Sequence, residues 1–256
     1  MSAPAIAVRA SAAEYQPQAV ALAAQLQLPL GEAEFTLELG EALSLHAQID
    51  GESVRLQPDF LAGVLDWRRK HGGGRGEPVV RAIWGKQRVA PTVFDATGGL
   101  ARDSFVLAAS GCTVQACEQQ AIVAALVRHA LERARAAAAA GEDSELLSLL
   151  ARLDYQHGDS LQWLQRHAAG SVDVVYLDPM FPPRPGSAKV KKDMQLLQRL
   201  AEIGAGDALL LPARRVARQR VVVKRPNYAP PLAGVTPSGQ LPAGANRFDI
   251  YAPLPR

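Results

Sequence analysis

One stretch near the middle of the chain constrains the fold more than any other. A mostly apolar run at 89–94 ends in the acid Asp95, a glycine pair follows at 98–99, and a helical pattern covers 103–109. This order predicts a strand, a tight turn and a helix. In α/β proteins such a turn binds nucleotide-like ligands, because the backbone can approach closely and the helix N-terminus faces the ligand. The dinucleotide fingerprint G-x-G-x-x-G is missing, since no glycine lies two residues before or three after Gly99.

From residue 89 onwards the pattern alternates between strands and helices. We predict strands at 92–95, 113–117, 153–157, 172–177 and 220–223, helices at 103–109, 121–140, 161–167, 193–203 and 208–218, and a last strand at 247–251 that closes the sheet. Strands separated by helices predict an α/β fold with a mostly parallel sheet and helices on both faces.

We predict that residues 1–60 form a smaller α+β extension, which packs against the main domain at 61–256. One helical pattern and three short alternating runs lie at 17–28, 35–39, 43–49 and 53–56. Asp50 and Gly51 separate the last two runs, and Asp-Gly between alternating runs is a strong hairpin signal. We therefore expect a helix and a small antiparallel sheet in this extension.

The composition narrows the cellular context. The 256 residues carry a net charge of +3, and no apolar run approaches the ~20 residues of a membrane span. The N-terminus has no apolar block before a cleavage site. Two cysteines, Cys112 and Cys117, are too few for a disulfide framework, and no His/Cys cluster has metal-ligand spacing. We expect a cytoplasmic protein without a membrane partner or a metal.

Polar side chains follow four of the predicted strands. Asp95, Glu118, Asp159 with Ser160, and Asp178 all lie at carboxyl ends, which meet at one edge of a parallel sheet. Glu118 lies 23 residues after Asp95, near the spacing of about 20 expected for an acid that binds ribose hydroxyls. A single acid at a strand end usually caps the next helix. Four such ends together indicate a ligand site.

The sharpest motif is Asp178-Pro179-Met180-Phe181, directly after an apolar strand. It resembles the (Asp/Asn)-Pro-Pro-(Phe/Tyr/Trp) loop of enzymes that methylate exocyclic amines of bases, with Met180 in place of the second proline. Such an amine is a poor nucleophile, so an acceptor formed by Asp178 and the backbone beside Pro179 would stabilise the developing charge. Phe181 would stack on the base. The alternative is a strand-terminating turn with a buried phenylalanine.

Basic residues flank these strands in sequence. We expect nine of them to contact RNA phosphates: Arg68, Arg69, Lys70, Arg75, Lys189, Lys191, Lys192, Lys224 and Arg225. Glycines at 72–74 and 76 would let the backbone approach the ligand. Further basic residues at 184, 214, 215, 218 and 220 extend the two later clusters. The alternative interpretation is a set of solvated loops and faces.

These segments together resemble the bacterial ribosomal RNA small-subunit methyltransferase J family. The matching residues are 68–70, 72–76, 95–97, 99–100, 102–103, 176–182, 220–226, 228–232 and 247–251. The resemblance implies a class I methyltransferase (Rossmann-like) fold and S-adenosylmethionine (SAM) as the cofactor. It also implies methyl transfer to N2 of a guanosine near the 3′ end of 16S rRNA, with 16S rRNA or the small ribosomal subunit as the partner.

By the same resemblance, the cofactor lies across 95–103, with Asp95 and Gly99 in that segment. The residues implied to contact SAM are Arg102, Asp103, Glu118, Gln119, Asp159, Ser160 and Asp178. The chain departs from the family at 98–101, where Ala-Gly-Leu-Gly is usual, and at Gln119, where arginine is frequent. The acid that would bind the ribose is retained.

Three other functions stay open. N6-methylation of adenine in RNA or DNA would use the same loop chemistry. A catalytically silent RNA-binding assembly factor would keep the fold, although the intact 178–181 loop disfavours it. A nicotinamide dehydrogenase is disfavoured by the missing glycine fingerprint. No cysteine has the pattern for covalent attack on a pyrimidine, which disfavours C5 methylation.

Overall fold

A four-stranded sheet and one helix form the N-terminal unit. The computed structural model describes residues 5–63, 65, 76–181, 192–200 and 206–255. The elements of this unit are β1 (Ile6–Ala10), α1 (Gln16–Leu26), β2 (Phe35–Leu39), β3 (Leu43–Ile49) and β4 (Glu52–Leu56). The predicted antiparallel runs are confirmed, and Asp50 and Gly51 both adopt positive φ, as the predicted hairpin turn requires. The prediction missed β1, which pairs with β2 in parallel.

Seven strands form the larger sheet. They are β5 (Thr92–Asp95), β6 (Thr113–Glu118), β7 (Leu153–His157), β8 (Val172–Leu177), β9 (Ala217–Pro226), β10 (Gly239–Ala243) and β11 (Asn246–Tyr251). Their order is β10-β11-β9-β8-β5-β6-β7. The pairs from β9 to β7 are parallel, whereas β11 and β10 are antiparallel additions. The mostly parallel sheet is confirmed, but β10 rather than the strand at 247–251 forms the edge.

Within the described residues, seven further helices have defined bounds. They are α2 (Pro78–Trp84), α3 (Arg102–Ala109), α4 (Ala121–Ala140), α5 (Ser144–Ala151), α6 (Ser160–Arg166), α7 (Lys192–Leu200) and α8 (Asp207–Val216). The prediction missed α2 and α5, both of which are short. It also extended α8 to residue 218, whereas the chain turns extended at Ala217 and β9 runs to Pro226. None of the helices in the described parts of the chain is long and apolar enough to cross a bilayer.

Alternate residues of the central strands face two different cores. In β8, Val174 and Tyr176 pack with α2–α5, α7 and the N-terminal unit, while Val175 and Leu177 pack with α6 and α8. Helices therefore cover both faces of the sheet, as predicted. The larger core is continuous from the N-terminal unit into the main sheet. The boundary near residue 60 accordingly stays a prediction.

Candidate active site

A cavity of about 520 Å³ lies at the carboxyl edge of β5, β6 and β8, beside the N-terminus of α6. Six of the predicted ligand residues line it: Gly99, Glu118, Gln119, Asp159, Ser160 and Asp178. Met180, Leu197, Leu200 and Leu209 add apolar walls. A few convergent polar groups in a largely apolar concavity are typical of a small-molecule site. A second cavity, of about 440 Å³ between α1 and α4, contains none of the predicted residues.

The glycine turn after β5 packs tightly against β6. The amide of Gly98 donates to the Cys117 carbonyl at 2.9 Å. A Cβ at position 98 would lie 3.1 Å from that carbonyl oxygen and 3.1 Å from Cε2 of Tyr155. Gly99 has a φ of +48°, and its carbonyl accepts from the Tyr155 hydroxyl at 2.7 Å. The turn therefore brings bare backbone to the cavity, which is what close approach of a ligand needs.

Glu118 ties the turn to the start of α4. One carboxylate oxygen accepts from the Gly99 amide at 2.8 Å, and the other accepts from the Gln120 amide at 2.7 Å. Burial raises the pKa of Glu118, and these two amides oppose the shift. Because each carboxylate oxygen has two lone pairs, both can still accept from a ligand hydroxyl. Gln120 caps α4 and also donates to the Leu200 carbonyl at 2.8 Å, which fixes the α7 wall of the cavity.

Asp95 lies below the cavity rather than on its wall. It is 2% exposed, and it accepts from the Ser104 hydroxyl and from the amide and hydroxyl of Thr97. Burial raises its pKa to about 7, although these hydrogen bonds oppose the shift. The Thr97 hydroxyl in turn accepts from the Asp178 amide at 2.6 Å. Asp95 therefore supports the backbone that carries Asp178 and does not itself face the cofactor cavity, contrary to our expectation.

Asp178 faces the same cavity as Glu118, as the predicted site requires. Its carboxylate accepts from Lys224 Nζ at 2.9 Å, and the same ammonium lies 2.9 Å from the Asp103 carboxylate. Asp103 also accepts from the Tyr176 hydroxyl at 2.6 Å. Asp103 is thus paired with Lys224 and does not line the cavity, which differs from the predicted cofactor contact.

Of the four remaining residues predicted to contact the cofactor, three line the cavity and Arg102 does not. Asp159 is the N-cap of α6 and accepts from the Leu161 amide at 2.8 Å, so the capping alternative is correct for it even though it lines the cavity. Ser160 is buried behind it, and Gln119 is exposed at the rim. Arg102, also exposed, begins α3 outside the cavity lining.

Phe181 lies in an aromatic cluster outside the cofactor cavity. The guanidinium of Arg225 lies 4.5 Å from the centre of its ring, and the ring of Tyr228 meets it edge-on at 6.0 Å. Arg225 is 4% exposed and donates to the Pro230 carbonyl at 2.7 Å. The predicted phosphate contact of Arg225 is therefore wrong, because its buried guanidinium contacts Phe181 and the Pro230 carbonyl instead of facing solvent. Tyr228, which the sequence analysis did not single out, is 49% exposed.

The remaining predicted RNA contacts divide into two groups. Arg68, Arg69, Lys70, Arg75, Lys189 and Lys191 lie outside the described residues. Lys192 forms an ion pair with Glu52 of β4, and Lys224 pairs with the two acids described above. Both lysines have carboxylate partners within the protein, and Lys192 is 40% exposed, so its phosphate contact stays a prediction.

The arginines in the last turn of α8 and at the start of β9 also have partners within the protein. Arg214 and Arg215 donate to backbone carbonyls of Ala252 and Leu164. Arg218 pairs with Asp173 at 2.9 Å, at the amino edge of the sheet and opposite the cavity. These contacts join the C-terminal segment and α6 to α8, and they join β9 to β8. Among the described residues, no group of three or more His, Cys, Asp or Glu side chains is placed to hold a metal ion.

Known proteins that resemble this chain in sequence and structure are SAM-dependent methyltransferases. The family described as "Putative SAM-dependent methyltransferase" matches residues 21–253. A crystal structure of a SAM-dependent methyltransferase from Neisseria gonorrhoeae aligns over 96% of both chains, with a TM-score of 0.68 and 32% identity. The sheet order, the acid-lined cavity and these matches define a SAM-dependent methyltransferase.

Two relatives narrow the class. A Shewanella oneidensis protein is 45% identical over 92% of this chain and 93% of its own length, and a Shewanella piezotolerans protein is 46% identical over 86% and 81%. Both are named Ribosomal RNA small subunit methyltransferase J. The chain belongs to this family, as the sequence resemblance indicated.

Proposed function

We propose that the protein transfers a methyl group from SAM to the exocyclic N2 of a guanosine near the 3′ end of 16S rRNA. One observation carries the proposal. Asp178 and Pro179 line the cofactor cavity, while Phe181 of the same loop lies on its outer side beside Tyr228. An acceptor base stacked on that outer side would place its amine between Phe181 and the cavity. The name of the relatives supports the choice of small-subunit RNA.

The polar and apolar groups that line the cavity match the chemical groups of SAM. Gly99 lines the cavity with bare backbone, which would leave room for the amino-acid end of SAM. Glu118, Asp159 and Ser160 line the cavity. Glu118 would accept hydrogen bonds from the ribose hydroxyls, and Asp159 with Ser160 would bind the adenine edge. Leu161, Leu197 and Leu209 supply apolar contacts for the adenine faces.

Asp178 and Phe181 perform complementary tasks in the transfer. When bound, SAM would supply an electrophilic methyl group to N2 and would leave as S-adenosylhomocysteine. Asp178 accepts a hydrogen bond from the amine and stabilises the positive charge that grows on N2. The amine proton then leaves through this carboxylate to solvent. Stacking on Phe181 contributes about 1–3 kcal/mol and holds the base in line.

The RNA reaches this site in an unpaired or flipped-out form, because the amine must enter a cavity that a base pair cannot. We place the phosphate contacts on the segments that carry Arg68, Arg69, Lys70, Arg75, Lys189 and Lys191. The described surface adds Tyr228 as an exposed aromatic beside Phe181. The substrate is 16S rRNA or the small ribosomal subunit, which places the enzyme in the cytoplasm.

Two measurements test this proposal against its alternatives. Mass mapping of ribosomal RNA from cells that lack the protein should reveal loss of one N2-methylguanosine in 16S rRNA. Loss of a methylated adenine would contradict the guanine assignment. Calorimetric titration with SAM should give measurable heat. RNA binding without any SAM binding would favour a catalytically silent assembly factor.

A further inference from the structure

A lysine from β9 bridges two carboxylates at the site. Lys224 Nζ lies 2.9 Å from Oδ2 of Asp178 and 2.9 Å from Oδ2 of Asp103. The Tyr176 hydroxyl donates to the same Asp103 oxygen at 2.6 Å. Tyr176 is 1% exposed, so this chain of contacts is anchored in the core. Lys224 therefore sits in a fixed position between β8, α3 and β9.

The contact sets both the charge and the orientation of Asp178. Lys224 binds Oδ2, which orients the carboxylate and leaves both lone pairs of Oδ1 for an acceptor amine. Such an amine needs an ionised carboxylate, because a protonated acid has lost one acceptor and gained a donor. A partly buried carboxylate close to a second acid resists ionisation unless a cation is adjacent.

We propose that Lys224 is a positioning residue for methyl transfer: its ammonium holds Asp178 ionised and in the rotamer that presents one oxygen to the exocyclic amine. Asp103 and Tyr176 hold the ammonium from its other side. This inference rests on the proposed function, since it assigns Asp178 to the amine. Lys224 of β9, which we predicted from the sequence to contact RNA, would thus take part in the chemistry.

The charges around Asp178 agree in sign with this role. Burial raises the pKa of Asp178, Lys224 opposes that shift, and Asp103 adds to it. Burial lowers the pKa of Lys224, but Asp178 and Asp103 together raise it by more than burial lowers it. The ammonium therefore stays charged. Two further titratable groups interact electrostatically with Asp178: Asp95 at the end of β5 and Tyr176 in β8. Removing Lys224 and removing Asp103 should therefore move the ionisation of Asp178 in opposite directions.

The test is the dependence of kcat on pH, measured with saturating SAM and 16S rRNA. In the wild type, kcat should fall as pH is lowered through the pKa of Asp178. Lys224→Met should move this acid limb upward by about one to three pH units, the range for loss of an adjacent opposite charge. Lys224→Arg keeps the charge and should leave the limb near its wild-type position. Asp103→Asn should move the limb downward, because it removes a like charge.

Lys86→Met is the matched control. Lys86 is exposed and lies between α2 and β5, at the amino edge of the sheet, so its profile should match the wild type. Limbs that stay at the wild-type pH in both Lys224→Met and Asp103→Asn would overturn the inference. If Lys224→Met does not fold, as judged by circular dichroism, Asp103→Asn decides alone. A wild-type enzyme that methylates no guanine would instead refute the proposed function.

Discussion

A substitution at Gly206 would displace the 178–181 loop without changing any residue of that loop. Gly206 precedes α8 and has φ −67° and ψ −32°, which alanine adopts without strain. A Cβ at this position would nevertheless lie 2.4 Å from Cβ and 2.8 Å from Cγ of Pro179. Ordinary contact begins at 3.4 Å, so Gly206→Ala requires a relative displacement of about 1 Å between α8 and the proline ring. The ring cannot rotate away as a flexible side chain would.

The displacement should lower the catalytic rate as well as the stability of the fold. A misplacement of about 1 Å can lower a rate ~100-fold, whereas overpacking typically costs about 1–3 kcal/mol of folding free energy. We therefore expect kcat for transfer of labelled methyl to 16S rRNA to fall by about two orders of magnitude in a folded Gly206→Ala protein. Gly239→Ala is the control, because a Cβ there meets nothing within 4 Å. A Gly206→Ala enzyme with kcat within about threefold of the control would refute the reasoning, since α8 would then have moved without disturbing Asp178.

Three other changes test separate parts of the site. Tyr228→Ala should raise the KM for RNA about tenfold through loss of one stacking contact, while Tyr228→Phe retains it; equal effects of both would contradict stacking. Glu118→Gln should weaken SAM binding in calorimetry by about 10–100-fold, because its amide nitrogen would face a backbone N–H; unchanged affinity would contradict the ribose contact. The raised pKa of Asp95 means that the native state holds a proton that the unfolded chain releases between pH 3.8 and about 7. Its contribution to the free energy of unfolding should therefore fall as pH rises through that window, and urea titrations of Asp95→Asn should lack this fall. Identical pH profiles for the variant and the wild type would argue against a protonated Asp95.

The parts of the site that the sequence predicted are those fixed by local pattern. Apolar runs that end in acids place Glu118 and Asp178 at one edge of a parallel sheet, and the topology follows from strand and helix alternation. The prolines mark the loop after β8. Such features depend on neighbouring residues in the chain, so a single sequence contains them.

The parts that the sequence did not predict depend on distant partners. Lys224 and Asp103 are 121 positions apart, and Lys224 and Asp178 are 46 positions apart. A cation in a basic run looks the same whether it will meet a phosphate or a buried acid, which is why Lys224 and Arg225 were assigned to RNA. The close packing of Gly206 against Pro179 likewise has no local signal. Short elements such as β1 and α2 carry too few residues for a clear periodicity.

We propose that Asp178 directs the methyl group of SAM to guanine N2. The most direct measurement is mass analysis of nucleosides from 16S rRNA incubated with labelled SAM and either the wild type or Asp178→Ala. The RNA should come from cells that lack the protein, so that its target is unmodified. We predict labelled N2-methylguanosine with the wild type and at least ~100-fold less with the variant, both measured at saturating SAM. Labelled N6-methyladenosine, or equal guanine methylation by both proteins, would contradict it.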